Sequence, residues 1–208
     1  EKEWDEAQGT MEKILNHLGI EYKEGIGEAA FYGPKLDIQI KNVFGKEDTL
    51  ITIQIDQMLA KKFGMEYVDK DGVKKNPYII HRSSIGCYER TLALLIEKYA
   101  GAFPLWLSPT QIKILPISEN EIDYSNDVKN ELMKHGYRVE IDNSDEKIGY
   151  KIREAQLDKV PYMIILGKNE SQENKISVRS RSGEKLESIE LSEFISKLDE
   201  EIKESFNK

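Results

Sequence analysis

Nine residues, Gly101-Ala102-Phe103-Pro104-Leu105-Trp106-Leu107-Ser108-Pro109, separate two different hydrophobic rhythms in this chain. Each proline fixes its own φ, lacks an amide donor and restricts its predecessor, so the segment reads as a connector. Its large apolar residues make it one that is packed in its own right. Before it, Met11, Ile14, Leu15 and Leu18 recur at helical spacing, and Gly19 supplies a stop. Leu36, Ile38 and Ile40 then alternate with Asp37, Gln39 and Lys41, and Ile51, Ile53 and Ile55 with Thr52, Gln54 and Asp56, around a turn at Gly45. Two period-2 runs joined this way predict an antiparallel hairpin. Asp69–Gly72 reads as another turn, Tyr78–Ile80 as a further strand and Glu89–Tyr99 as a helix. After the connector, apolar runs at 112–117, 137–141, 163–166 and 176–178 alternate with helical patterns at 121–135, 147–159 and 191–205. That alternation predicts βαβ units on a mostly parallel sheet. The expectation is two domains, 1–108 of α+β type and 109–208 of α/β type.

Composition narrows the function. Apolar residues make up 39% of 208, enough for a core, yet no run approaches the ~20 residues of a membrane span. No apolar leader follows Glu1, and an opening without methionine is expected of a piece of a longer protein. Cys87 is the only cysteine, which excludes a disulfide framework and any site with several thiolates, and favours a cytoplasmic location. The net charge of −8 argues against a generally basic nucleic-acid binder. The charge is uneven, however. Residues 147–181 carry 8 basic and 4 acidic side chains, a balance of +4, between segments of −5 (109–146) and −4 (182–208). A local polyanion contact is what such an island can support, with Lys147 and Lys151 as its phosphate-facing charges; a solvated surface is the alternative.

Chemistry-bearing residues cluster in the first half. His81 and Arg82 are read as following a strand, and Ser83–Arg90 as a small-residue turn opening a helix, where donors can approach an anion. Arg90 then either reaches a phosphate or pairs with a local carboxylate, with Gly86 only a turn. No other histidine or cysteine stands at metal spacing beside His81. Thr52, Gln54 and Asp56 share one strand face and either line a cleft floor or form a solvated sheet face. Gly25-Ile26-Gly27 lacks the third glycine and preceding strand of a dinucleotide loop.

Taken in order, Ala30-Phe31-Tyr32-Gly33-Pro34-Lys35, Thr52-Ile53-Gln54-Ile55-Asp56, Ile80-His81-Arg82 and Gly86-Cys87-Tyr88-Glu89-Arg90 resemble the bacterial threonyl-tRNA synthetases, of class IIa. So do Glu146–Glu154 and Val160-Pro161-Tyr162-Met163, and the resemblance runs over essentially the whole chain. It implies the end of an antiparallel class II catalytic domain, followed by an α/β anticodon-binding domain with a mostly parallel five-stranded sheet. Gly86–Arg90 looks like class II motif 3, whose arginine, Arg90, contacts ATP phosphate. The resemblance makes Arg90, Gln54 and Lys35 catalytic candidates, and puts Tyr32, Thr52, Asp56 and Cys87 around the adenylate pocket. It makes His81 one of three zinc ligands, the other two lying upstream of this chain. It assigns Asp145, Arg153, Lys159, Glu170 and Arg179 to the tRNA anticodon arm, with Glu170 and Arg179 at positions that bond the second and third anticodon bases. Loop bases are unstacked, so carboxylates and guanidinium groups can read their edges.

The implied activity is that of a threonine–tRNA ligase using ATP with Mg2+, Zn2+ and threonine, homodimeric as a whole enzyme and without a membrane partner. Two departures bear on it. Thr49 stands where the family has a glutamine that helps hold the nucleotide, and class II motifs 1 and 2 are missing. The 208-residue chain alone is therefore expected to be inactive and to contain no stoichiometric zinc. The alternative is a synthetase-like module that only binds tRNA or a similar RNA.

Overall fold

A computed structural model describes residues 2–207. The backbone divides into two compact units, Glu1–Leu94 and Leu95–Lys208.

The first unit opens with α1 (Lys2–His17), whose apolar stripe buries Leu15. Strands β1 (Lys35–Lys41) and β2 (Glu47–Asp56) form the antiparallel hairpin, with Leu36 opposite Ile53 and a bulge between Ile38 and Gln39. A short α2 (Leu59–Lys62) and a two-stranded ribbon, β3 (Tyr67–Val68) with β4 (Lys74–Lys75), precede β5 (Ile79–Arg82). β5 pairs antiparallel with the free side of β2, so the sheet order is β1-β2-β5. His81 and Arg82 do not follow this strand, as the sequence suggests; they are its last residues, held opposite Gln54 and Ile53. α3 (Tyr88–Tyr99) comes next. The period-2 pattern of β2 is present, but its polar row is the more enclosed one. Gln54 and Asp56 are buried, whereas Ile51, Ile53 and Ile55 are only half-buried.

The second unit contains β6 (Ile112–Pro116), α4 (Ile122–Lys134), β7 (Val139–Ile141), α5 (Ile148–Leu157), β8 (Tyr162–Leu166), α6 (Lys168–Glu173), β9 (Ile176–Ser180), β10 (Lys185–Ile189) and α7 (Leu191–Phe206). Its five-stranded sheet has the order β10-β9-β8-β6-β7. β6 runs parallel to β7 and β8, while β9 is antiparallel to both β8 and β10. Only β9 therefore points against the other four. One layer of core joins Ile112, Ile114, Ile164, Leu166, Ile176 and Val178 to Val128 and Leu132 of α4 and to Phe194, Ile195 and Leu198 of α7. On the other face Leu115 and Met163 meet Ala155, Ile148 and Ile152 of α5. Cover on both faces explains why Met163–Leu166 is a continuous apolar run. Each such side chain contributes roughly 1.5–3 kcal/mol by leaving water.

Two tyrosines tie this core to α7 through acidic partners. Tyr137 donates its hydroxyl hydrogen bond to Asp199, and Tyr162 donates to Glu201 at 2.6 Å. Burial first, and then the bonded carboxylates, raise both phenols above their usual value near 10. The unfolded chain thus loses these protons first as pH rises. Their stabilisation is complete below about pH 10 and is lost as pH climbs toward the raised folded values. Denaturant titrations at pH 9, 10 and 11 are expected to show stability falling by up to about 1.4 kcal/mol per pH unit for each tyrosine. Tyr137→Phe and Tyr162→Phe should each flatten that slope, and parallel slopes in variant and wild type would refute the assignment.

Candidate functional site

In the first unit the polar row of β2 collects partners from both neighbouring strands. Lys35 lies opposite Gln54, Asp37 opposite Thr52 and His81 opposite Gln54, so all of them share one sheet face. Tyr32 donates from its hydroxyl to Gln54 Oε1 at 2.9 Å, and its ring meets the His81 ring edge-on at 5.8 Å. Thr52 donates to Asp37 Oδ1 at 2.7 Å, and Lys35 pairs with the other oxygen of the same carboxylate. His81 Nε2 lies 2.9 Å from Asp56 Oδ2, while Asp56 Oδ1 accepts from the Met58 and Leu59 amides, each at 2.9 Å. Burial pushes the Asp56 carboxyl up; the bonds from His81, Leu59 and Met58 outweigh it and hold the group below the usual carboxylate range. Tyr32, Lys35, Thr52, Gln54, Asp56 and His81 are thus gathered together. Asp37, which joins Lys35 to Thr52, was not singled out from sequence, although it alternates with the apolar residues of β1 as Thr52 does in β2.

Two glycines let the backbone close around this sheet. A Cβ at Gly33 would sit 1.6 Å from the Ile55 carbonyl oxygen, so no other residue fits there. Gly86 has φ +67, and a Cβ on it would come within 2.5 Å of Leu50 O. Its amide donates to Ser83 Oγ at 2.8 Å, and the Ser83 amide in turn donates to Thr52 O at 3.0 Å. The turn that opens α3 is thereby attached to β2. Arg90 is exposed and donates from Nη1 to Thr49 O at 3.1 Å, leaving the rest of its guanidinium fork available to an anion. Cys87 is an exposed free thiol.

For zinc, the described residues contain no group of three or more His, Cys, Asp or Glu side chains able to hold a metal. What is present fits a single ligand. One ring nitrogen of His81 is oriented by a buried carboxylate, the support a metal-bound imidazole has, and the other nitrogen remains for coordination.

In the second unit, Ser177 and Arg179 occupy the face of β9 opposite the Ile176–Val178 core. Glu170, in the first turn of α6, joins them there. Its Oε1 accepts from Ser177 Oγ at 2.7 Å and its Oε2 from the Gly167 amide at 3.0 Å. Burial raises the Glu170 carboxyl; the Ser177 bond and the backbone amides reverse the shift and keep it low. Arg179 Nε is buried and has no hydrogen-bond partner among the described residues. Asp145 and Arg153 are exposed, on the loop before α5 and on α5 itself. Lys159 follows α5 and donates from Nζ to Ala100 O. One expectation fails. Lys151 is not a phosphate-facing charge: it is only 4% exposed, and its ammonium donates to Pro116 O at 3.2 Å and Asp142 O at 3.1 Å. Its place on the inner stripe of α5 puts it under the sheet's edge rather than on the surface.

Comparison with known proteins bears on both faces. Residues 1–99 match the tRNA synthetase class II core domain (G, H, P, S and T), and residues 111–201 match the anticodon binding domain. A threonine–tRNA ligase of Clostridium perfringens (strain SM101 / Type A) is 58% identical over 94% of this chain, and that of Clostridioides difficile (strain 630) is 49% identical over 97%. The chain belongs to the threonyl-tRNA synthetase family. It spans about 30% of the first relative's length and 32% of the second's. The crystal structure of the RNA binding domain of threonyl-tRNA synthetase from Cryptosporidium parvum Iowa II superposes with a TM-score of 0.86 at 36% identity, covering 96% of this chain and 50% of that one. Prolyl-tRNA synthetase from Cryptosporidium parvum, at 24% identity and a TM-score of 0.71 over 96% of this chain and 45% of that one, shares the fold. Within the synthetase family the chain thus carries part of the class II core and an anticodon-binding domain. No helix among the described residues is long and apolar enough to cross a membrane.

Proposed function

We propose that this chain serves a threonine–tRNA ligase, its first unit forming one wall of the site where ATP activates threonine and its second reading the tRNA anticodon arm. The reading rests on the single polar face that Tyr32, Lys35, Thr52, Gln54, Asp56 and His81 share, in a chain 58% identical to a threonine–tRNA ligase. Activation joins the threonine carboxylate to the α-phosphate of ATP and releases pyrophosphate. The protein's part in it is positioning and charge neutralisation. Arg90 supplies a planar cationic fork to phosphate oxygens, and Mg2+ bound with ATP would neutralise the rest of the triphosphate charge. Lys35, held by Asp37, adds a second positive group on the sheet face. Gln54 and Tyr32, bonded to each other, offer an amide and a hydroxyl to the polar groups of threonine or its adenylate. Thr52 and Asp56 hold that wall in place, and Cys87 lies at its edge. His81 would bind zinc in concert with ligands from elsewhere in the enzyme. Zinc held there would supply a contact for the substrate amino and hydroxyl groups, and so a means of rejecting valine. In the second unit Glu170 and Arg179 address the second and third anticodon bases, while Asp145, Arg153 and Lys159 make flanking contacts. The whole enzyme is read as a cytoplasmic homodimer.

Two measurements test this reading. In the whole enzyme, Arg90→Lys keeps the charge but loses the fork. Threonine-dependent ATP–pyrophosphate exchange should fall by about tenfold or more, with tRNA affinity nearly unchanged; exchange at the wild-type rate would exclude Arg90 from phosphate contact. For the anticodon face, Arg179→Ala should cost about 1–3 kcal/mol of binding to the threonine anticodon stem-loop, and much less for a base-swapped loop. Equal losses on both loops would mean that Arg179 positions the RNA without reading it. Wild-type enzyme that binds the stem-loop but shows no exchange would favour the RNA-binding module instead.

A further inference from the structure

Arg181 directly follows β9. Its Nη1 donates to two backbone carbonyls, Phe103 O at 3.0 Å and Lys159 O at 2.8 Å, and its amide donates to Pro161 O at 2.8 Å. Arg181 therefore grips the chain on both sides of Val160. The residue it grips is unusual. Lys159 has φ +56, in the left-handed region that is disfavoured for a residue with a Cβ. Such a conformation persists only where the surroundings impose it. Here the Lys159 amide donates to Gln156 O at 3.0 Å, the Val160 amide donates to Ala155 O at 3.1 Å, and Arg181 closes the arrangement from the carbonyl side. The side chain that emerges from this turn is also fixed, because its ammonium donates to Ala100 O. One of three N–H groups is used in that bond, and the residue is exposed, so the ammonium can still meet a phosphate oxygen.

We propose that Arg181 is a positioning residue for RNA binding: it holds the Lys159 turn so that the Lys159 ammonium is fixed in advance to receive a backbone phosphate. This rests on the reading of the second unit as an anticodon-arm binder. The gain is in preorganisation. A free lysine gives up its rotamer freedom on binding, whereas one already tied to Ala100 O has given it up on folding. Arg181 acts through its geometry, since its Nη1 is committed to two carbonyls.

The test is a double-mutant cycle on the full chain, with a fluorescent threonine anticodon stem-loop titrated at several salt concentrations. Lys159→Ala is expected to weaken binding about tenfold and to lower the salt slope by about 1. Arg181→Ala alone should weaken binding to a similar degree. In the Lys159→Ala background it should cost no more than about twofold and leave the slope unchanged, because what it positions is gone. A further tenfold loss there, with another drop in slope, would show Arg181 touching the RNA itself and overturn the proposal. Should Arg181→Ala fail to fold, Arg181→Lys serves, keeping the charge but losing the fork that spans two carbonyls. It too should weaken RNA binding only when Lys159 is present, and unchanged affinity would overturn the proposal. Wild-type chain that binds no stem-loop would overturn the anticodon reading and this role together, a result seen before any variant is made.

Discussion

Phe194→Ala is expected to lower the unfolding free energy of the second unit by about 3–5 kcal/mol. The ring is fully buried, sits edge-on to Tyr162 at 5.4 Å, and lies where α7 meets the main core layer. Its removal forfeits the transfer free energy of a whole aromatic side chain. It also opens a cavity that β8 and α7 cannot both move to fill. Urea denaturation should show a lower midpoint at unchanged slope, the sign of lost stability without a changed amount of buried surface. Phe194→Leu, which keeps much of the volume, should cost markedly less. A loss below about 1 kcal/mol for alanine would mean that α7 is not held by this residue.

The second large effect is expected at Lys151. Lys151→Ala removes a buried ammonium and strips Pro116 O and Asp142 O of their shared donor, besides leaving a void where the stem packed. Leaving the buried Pro116 carbonyl and the part-buried Asp142 carbonyl unpaired costs about 1–3 kcal/mol, and the void adds to it. A total of about 2–4 kcal/mol follows, read as a shift in the urea midpoint. Lys147→Ala, at an exposed position, should leave that midpoint unchanged while weakening RNA binding and lowering its salt slope by about 1. Lys151→Met retains the stem and isolates the loss of the donor. RNA affinity of the folded Met variant should equal that of wild type, and a reduced salt slope for it would return Lys151 to the RNA-facing surface.

Lys147 and Lys151 show where sequence reading reached its limit. Both are lysines in one basic island, and nothing in residue type separates a solvated ammonium from one folded under a sheet edge. What separates them is rotation about α5: Lys151 falls on the same side as Ile148, Ile152 and Ala155, whose spacing was visible, but a charge on an apolar stripe is ordinarily read as an interruption. β6, β8 and the long helices were legible because each buries a face with a repeating period. β10 was not, since Leu186 and Ile189 are its only apolar residues and a register shift lies between them. α6 has no buried residue and no amphipathic period to detect. In the candidate catalytic face, residue identities were legible from motif resemblance, and their enclosure was not. Isoleucines alternating with Thr52, Gln54 and Asp56 read as a core row backed by a wet one, yet cross-strand partners from β1 and β5 enclose the polar side. Asp37 escaped notice because its role depends on pairing across the hairpin with Thr52, a relation that strand register creates.

The lone reversed strand has a kinetic consequence. β9 and β10 close a hairpin from neighbouring residues, with Arg179 opposite Lys185, so they can pair early and locally. β6 must instead find β8 across α4, β7 and α5, Ile112 meeting Tyr162 fifty positions later. Closing that long loop costs chain entropy before any contact repays it, so docking of β6 against β8 should set the refolding rate of this unit. Ile114→Val and Ile164→Val would then slow refolding in proportion to their loss of stability, whereas Leu186→Ala at the hairpin would act chiefly by hastening unfolding.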